Sequence, residues 1–93
     1  MDSQIVHRPE LCRFELTQNG ETAFVEYKKE GNNFTILHTI VPKPIEGQGI
    51  AKQLVQTAFD YALAQRLHPA ATCWYAKVWL QRHPDYTLSA TQE

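Results

Sequence analysis

The fold is decided by residues 34–66: FTILHTIV (34–41), PKPI (42–45), EGQG (46–49) and IAKQLVQTAFDYALAQR (50–66). The first block is β-branched and largely apolar, which suits a central strand covered on both faces. Pro42 and Pro44 cannot continue a hydrogen-bonded ladder and end it. From Ile50 the period changes. Ile50, Leu54, Ala58, Tyr61, Ala62 and Gln65 recur at spacings of three and four, which predicts a helix from about Ile50 to Arg66. Between the two periods lies a short loop with two glycines.

Upstream, Cys12, Phe14 and Leu16 alternate with Arg13, Glu15 and Thr17, the pattern of a strand with one wet side. Asn19-Gly20 is a strong hairpin signal, because both turn positions need φ > 0. Glu21–Lys29 continues as a second strand with Ala23, Val25 and Tyr27 on one side, and Gly31-Asn32-Asn33 turns into the third. Residues 1–10 are polar, show no period and read as a loosely held start. Downstream, Leu67-His68-Pro69 breaks the helix without a glycine cap. Ala70–Trp74 is a short strand, parallel to the third across a right-handed crossover. Tyr75–Arg82 is a short second helix stopped before Pro84, and Thr87–Glu93 reads as a frayed tail. The expected class is α/β (α+β): a mixed sheet of antiparallel strands, one crossover helix and one short C-terminal helix.

Composition narrows the function classes. The chain has 93 residues, 43% of them apolar, which is room for one small domain (1–93) with an ordered core of about 11–86. The net charge is −1, which argues against a duplex nucleic-acid binder. The longest apolar runs are four residues, 61–64 and 73–76, far short of the roughly 20 that a membrane helix needs. The N-terminus carries no signal-peptide core, and two cysteines make no disulfide scaffold. These features point to a soluble cytoplasmic domain. No His or Cys pair has zinc-ligand spacing, so no metal is expected.

The glycine loop carries the chemical signal. A helix start offers unpaired backbone N–H groups and a partial positive charge, and glycines let an anion approach closely. Lys52 adds an ammonium in the first turn. A P-loop is absent, and the dinucleotide fingerprint fails because Lys52 stands where its third glycine belongs. On spacing alone, a plain strand-to-helix turn is an equal reading.

The blocks His38-Thr39-Ile40-Val41-Pro42 and Glu46-Gly47-Gln48-Gly49-Ile50-Ala51-Lys52-Gln53-Leu54-Val55 resemble motif A of the GNAT N-acetyltransferase superfamily. Cys73-x-Tyr75-Ala76 and Arg82-His83-Pro84-Asp85-Tyr86 resemble its very small single-domain branch, the YjdJ type. Together these cover roughly residues 11–86. The resemblance implies an acyltransferase that binds acetyl-CoA. Gln48, Gly49, Ile50, Ala51 and Lys52 would hold the pyrophosphate. Ile40 and Val41 would offer backbone groups to the pantetheine arm, with the thioester between splayed strands. Two departures stand out. Glu46 occupies the position where the superfamily has Arg or Gln. The first two strands are joined directly by Asn19-Gly20, without the usual pair of helices, which leaves the acceptor side open. The resemblance implies an amine acceptor, on a small molecule or a protein.

Candidate catalytic residues follow. Cys73 would sit beside the splay, as a nucleophile when ionised or as a buried structural thiol. His38 can act as a base, but alternation places it with Phe34, Ile36 and Ile40, which favours a core histidine. Tyr75, ahead of Tyr86, is the candidate to protonate a leaving thiolate. Both tyrosines more commonly serve packing. Trp74 and Trp79 read as core and rim, and nothing in the sequence supports stacking on an adenine. Lys28, Lys29 and Lys43 read as solvated charges. Lys77 could join Lys52 at the coenzyme's phosphates.

Overall fold

The computed structural model describes residues 5–87. Strands β1 (Ile5–Arg8), β2 (Arg13–Gln18), β3 (Glu21–Glu30), β4 (Asn33–Ile40) and β5 (His68–Ala71) form one sheet in sequence order. The first four are antiparallel, and β5 runs parallel to β4. Helix α1 (Ile50–Ala64) makes the crossover, and α2 (Trp74–Arg82) follows β5. This is the mixed α+β architecture that the periods predict.

The hairpin forms as expected: Asn19 and Gly20 have φ of 54° and 78°, and Gln18 pairs with Glu21. The alternating residues Phe14, Leu16, Ala23, Val25 and Tyr27 are buried against α1. The buried side of α1 is wider than the expected stripe: Val55 and Phe59 are fully buried as well, while Gln65 is exposed and caps the C-terminus. That terminus closes without glycine. Arg66 takes φ 61°, its N–H bonds to the Leu63 carbonyl at 3.0 Å, and the Leu67 N–H bonds to the Ala62 carbonyl at 2.8 Å. These are the two bonds of a Schellman motif.

Four expectations need correction. The start is ordered from Ile5, where β1 pairs with β2. Residues 1–4 and 88–93 lie outside the described residues. The signal was hidden because His7 counts as polar, yet its ring stacks on Phe14 at 4.1 Å and 2°. Its Nε2 shares a 2.6 Å hydrogen bond with the Tyr27 hydroxyl. Strand β5 begins at His68 instead of Ala70, and Pro69 sits inside it. The sheet ends at this strand, so a missing N–H on its outer side breaks no ladder. Trp74 starts α2, and the strand ends at Ala71.

The fourth correction concerns β4. A bulge shifts the register between Glu26 and Tyr27, which pair with His38 and Ile36, and leaves Leu37 over. One extra residue reverses the alternation. Phe34 and Ile36 face the core, but His38 and Ile40 turn to the other side and are exposed. Thr39, opposite buried Val25, takes the inner side instead. The strand is therefore covered on one face only, and His38 is not a core histidine. Among the described residues no helix covers the outer face. There the Arg13 guanidinium lies 4.0 Å over the Phe24 ring.

Candidate functional site

Strands β4 and β5 pair only from Asn33 to Ile36 on β4. The chain leaving β5 then turns off, with the Thr72 and Cys73 N–H groups both donating to the Ile36 carbonyl at 3.0 and 3.2 Å. Beyond this point β4 keeps its antiparallel partner β3, but its other edge from Leu37 to Ile40 has no parallel partner. A gap opens between the two strands.

The loop after β4 folds over this gap. Pro42, with φ −59° and ψ 145°, leads into a single 3-10 turn at Lys43–Ile45, and the fully buried Ile45 anchors it. Gly47 and Gly49 then take φ of 82° and 76°, a region that side-chain-bearing residues avoid. Gly49 is the N-cap of α1 and, having no side chain, caps none of its N–H groups. The first-turn amides of α1 are therefore left for an external acceptor.

The result is a cleft of about 500 Å³. Thr39, Ile40 and Val41 form one wall, and Gly47, Gly49, Ile50, Ala51 and Lys52 form the helix-start end. Tyr75 of α2 closes a side, and Glu46 also lines it. Of the residues named from sequence, the cleft brings together Ile40, Val41, Gly49, Ile50, Ala51, Lys52 and Tyr75. Gln48 is outside the lining, and its side-chain carbonyl accepts a hydrogen bond from the Gln18 amide on β2. Cys73 is half-buried as the N-cap of α2, and its thiol donates to the Thr39 hydroxyl at 3.3 Å. The thiol thus sits one contact behind the cleft wall. His38 does not line the cleft. It stands exposed on the outer face opposite Glu26.

Sequence reasoning missed Thr39, the link between the cleft and Cys73, because the bulge hides its direction. It also missed Gln18, which reaches the loop only through tertiary structure. Tyr86 lies away from the cleft, with its hydroxyl donating to Asp60 at 2.6 Å. Burial, with the Asp60 carboxylate beside it, raises its pKa to about 12. At the far end of the sheet, burial raises Tyr27 to about 12 and lowers His7, which Lys29 lowers further. Among the described residues no group of three or more His, Cys, Asp or Glu is placed to hold a metal. No helix among them is long and apolar enough to cross a membrane.

Residues 13–89 match the family model of the GCN5-related N-acetyltransferases. The chain belongs to this family. Protein NATD1 of Gallus gallus is 32% identical over 84 residues, spanning 87% of this chain and 76% of that one. Protein NATD1 of Homo sapiens is 31% identical over 84 residues, spanning 87% and 74%. Among solved structures, a GCN5-like protein of Staphylococcus aureus, determined in solution by NMR, superposes with a TM-score of 0.70. It is 26% identical and covers 89% of this chain and 82% of its own. The GCN5-related assignment agrees with the motif blocks at residues 38–55 and 73–86.

Proposed function

We propose that this protein is an acetyl-CoA-dependent N-acetyltransferase that passes acetyl to an amine. The observation that carries the reading is the cleft itself, where uncapped α1 amides and the unpaired edge of β4 face one space. A pyrophosphate fits the amides of Gly49 to Lys52, which supply hydrogen bonds and the positive end of the helix dipole. Gln48 offers only its backbone, since its side chain is turned to Gln18. An amide-rich pantetheine arm fits the edge of β4 at Ile40 and Val41 as an added strand. That path leads the thioester toward Thr39 and Cys73.

The simplest chemistry is direct attack. The neutral amine nitrogen bonds to the thioester carbonyl carbon, the C–S bond breaks, and the product nitrogen gives up a proton. Coenzyme A leaves as a thiolate and takes a proton, a role this reading gives to Tyr75, which lines the cleft. His38 serves as base only for an acceptor that arrives over the uncovered outer face. Cys73 offers a second route. Its sulfur attacks the carbonyl, coenzyme A leaves, and the amine then takes the acetyl group from sulfur.

One observation favours a weaker activity. Glu46 lines the cleft, and a carboxylate there opposes an anion. The corresponding reading is a coenzyme A-binding module with little transfer.

The test is release of free coenzyme A thiol from acetyl-CoA with a panel of amines and peptides, with products read by mass. Turnover with an acetylated amine supports the transferase. Coenzyme binding without turnover across the panel supports the binding module. In parallel, intact mass after incubation distinguishes the routes. A gain of one acetyl group that Cys73→Ala abolishes supports the covalent path, whereas full turnover by Cys73→Ala rules it out.

A further inference from the structure

One carboxylate on the outer face of the sheet has no part in the site described so far. Glu26 lies between buried Val25 and buried Tyr27 on β3, so its side chain points to the uncovered side. It is half-buried, yet its carboxylate has neither a hydrogen bond nor an ion pair among the described residues. Its cross-strand neighbours are Arg13 on β2 and His38 on β4. Arg13 could neutralise it but is turned away. The Arg13 guanidinium lies 4.0 Å over the Phe24 ring and 3.8 Å from the Glu15 carboxylate, which Arg8 also approaches at 3.3 Å. A half-buried carboxylate without a partner has given up part of its hydration for no pairing, and it favours a cation from outside. The β4 bulge sets His38 beside it. Without the extra residue Leu37, His38 would face the core with Phe34 and Ile36. Ile40, two residues on, is 48% exposed on the same side, and it also lines the cleft. The order across the sheet is therefore carboxylate, imidazole and open gap, with about 4.8 Å between neighbouring strands.

We propose that the acceptor is an amine carrying a second positive charge, a diamine or longer polyamine, and that Glu26 is the residue that selects it. The proposal rests on the transferase reading of the cleft. One ammonium of the acceptor pairs with Glu26, and the carbon chain crosses the outer face over His38. The span from Glu26 to the gap, about 10 Å at two strand spacings and less where side chains lean inward, suits a chain of roughly four to six carbons. The other ammonium gives a proton to the His38 imidazole. The neutral nitrogen then bonds to the thioester carbonyl carbon in the gap, the C–S bond breaks, and the newly bonded nitrogen sheds its surplus proton as coenzyme A leaves. The consequence is selectivity. The protein distinguishes a diamine from the monoamine of the same chain length, although the two present the same reacting nitrogen.

The test is turnover of putrescine and of n-butylamine, which differ by one ammonium, by the wild-type protein, Glu26→Gln and His38→Gln at saturating acetyl-CoA. Calorimetry with acetyl-CoA and circular dichroism check that each protein binds the co-substrate and is folded. The wild type is expected to show a kcat/KM about tenfold or more higher for putrescine, the scale of one charge-assisted contact. Glu26→Gln should erase that ratio by raising the KM for putrescine. His38→Gln should lower kcat for both amines and keep the ratio. Equal wild-type kcat/KM for the two amines overturns the proposal and leaves the transferase reading standing. A preference that Glu26→Gln retains, or full turnover by His38→Gln, overturns it too. Turnover of neither amine by a wild type that binds acetyl-CoA overturns the proposal alone. A wild type that does not bind acetyl-CoA overturns the transferase reading and the proposal together.

Discussion

The two ends of the sheet are built on opposite plans. At one end His7, Phe14, Tyr27, Phe34 and Tyr61 pack ring on ring, with His7 on Phe14 at 4.1 Å and Tyr27 on Phe34 at 4.4 Å. At the other end the strands part, two glycines take positive φ, and a cleft of about 500 Å³ is left. The first end holds itself together with side chains. The second leaves the first-turn N–H groups of α1 without a side-chain cap, open to an outside acceptor. A substitution at the packed end should therefore change stability, and one at the open end should change binding.

The largest effect is expected at the packed end. Phe34 is fully buried between Tyr27, Phe59 and Tyr61. Phe34→Ala should cost about 3–5 kcal/mol in denaturant unfolding. A loss below 1 kcal/mol would break the contrast. At the open end, Gly49→Glu places a carboxylate where the α1 amides meet the anion. It should weaken acetyl-CoA binding about a hundredfold, while stability falls only by the αL strain of about 1–2 kcal/mol. Unchanged affinity would remove the loop from the account.

A smaller effect sharpens the same comparison through pH. His7 is held below its ordinary pKa of 6.5 by burial and then by Lys29, with Glu10 opposing. Tyr27 and Tyr61 also face its ring. Neutral His7 thus favours the fold above pH 6.5, and that contribution is lost as pH falls through the depressed value. Thermal unfolding midpoints should drop over that window in the wild type and less in His7→Phe. Equal slopes would contradict this role for His7. Tyr27 and Tyr86 carry the opposite sign, since each is raised from 10.0 to about 12. Their contribution should disappear between pH 10 and about 12. The smallest effect belongs to the cleft: Glu46→Gln should tighten acetyl-CoA binding a few-fold, about 0.5–1 kcal/mol, by removing a facing carboxylate. Weaker binding in the variant would show that Glu46 assists the ligand.

What could be read in the sequence was local. The hairpin at Asn19-Gly20, the alternation of β2 and β3, and the α1 stripe follow periods that survive in one dimension. The glycine loop was legible because positive φ leaves a mark in residue type. Strand β1 was not, because an imidazole can serve as an aromatic wall while scoring as polar. The bulge at Leu37 was not, because one extra residue changes no composition yet turns His38 outward and Thr39 inward. The Thr39–Cys73 and Gln18–Gln48 contacts join residues 34 and 30 positions apart, and no local pattern announces them.

The central claim is that the parted strands and the α1 amides form a coenzyme site. Calorimetric titration of the wild-type protein with acetyl-CoA, with adenosine as control, tests it most directly. Micromolar binding of acetyl-CoA, with adenosine weaker by about a hundredfold or more, is the predicted result. No heat at millimolar acetyl-CoA would contradict the claim and leave the fold as a scaffold for some other purpose.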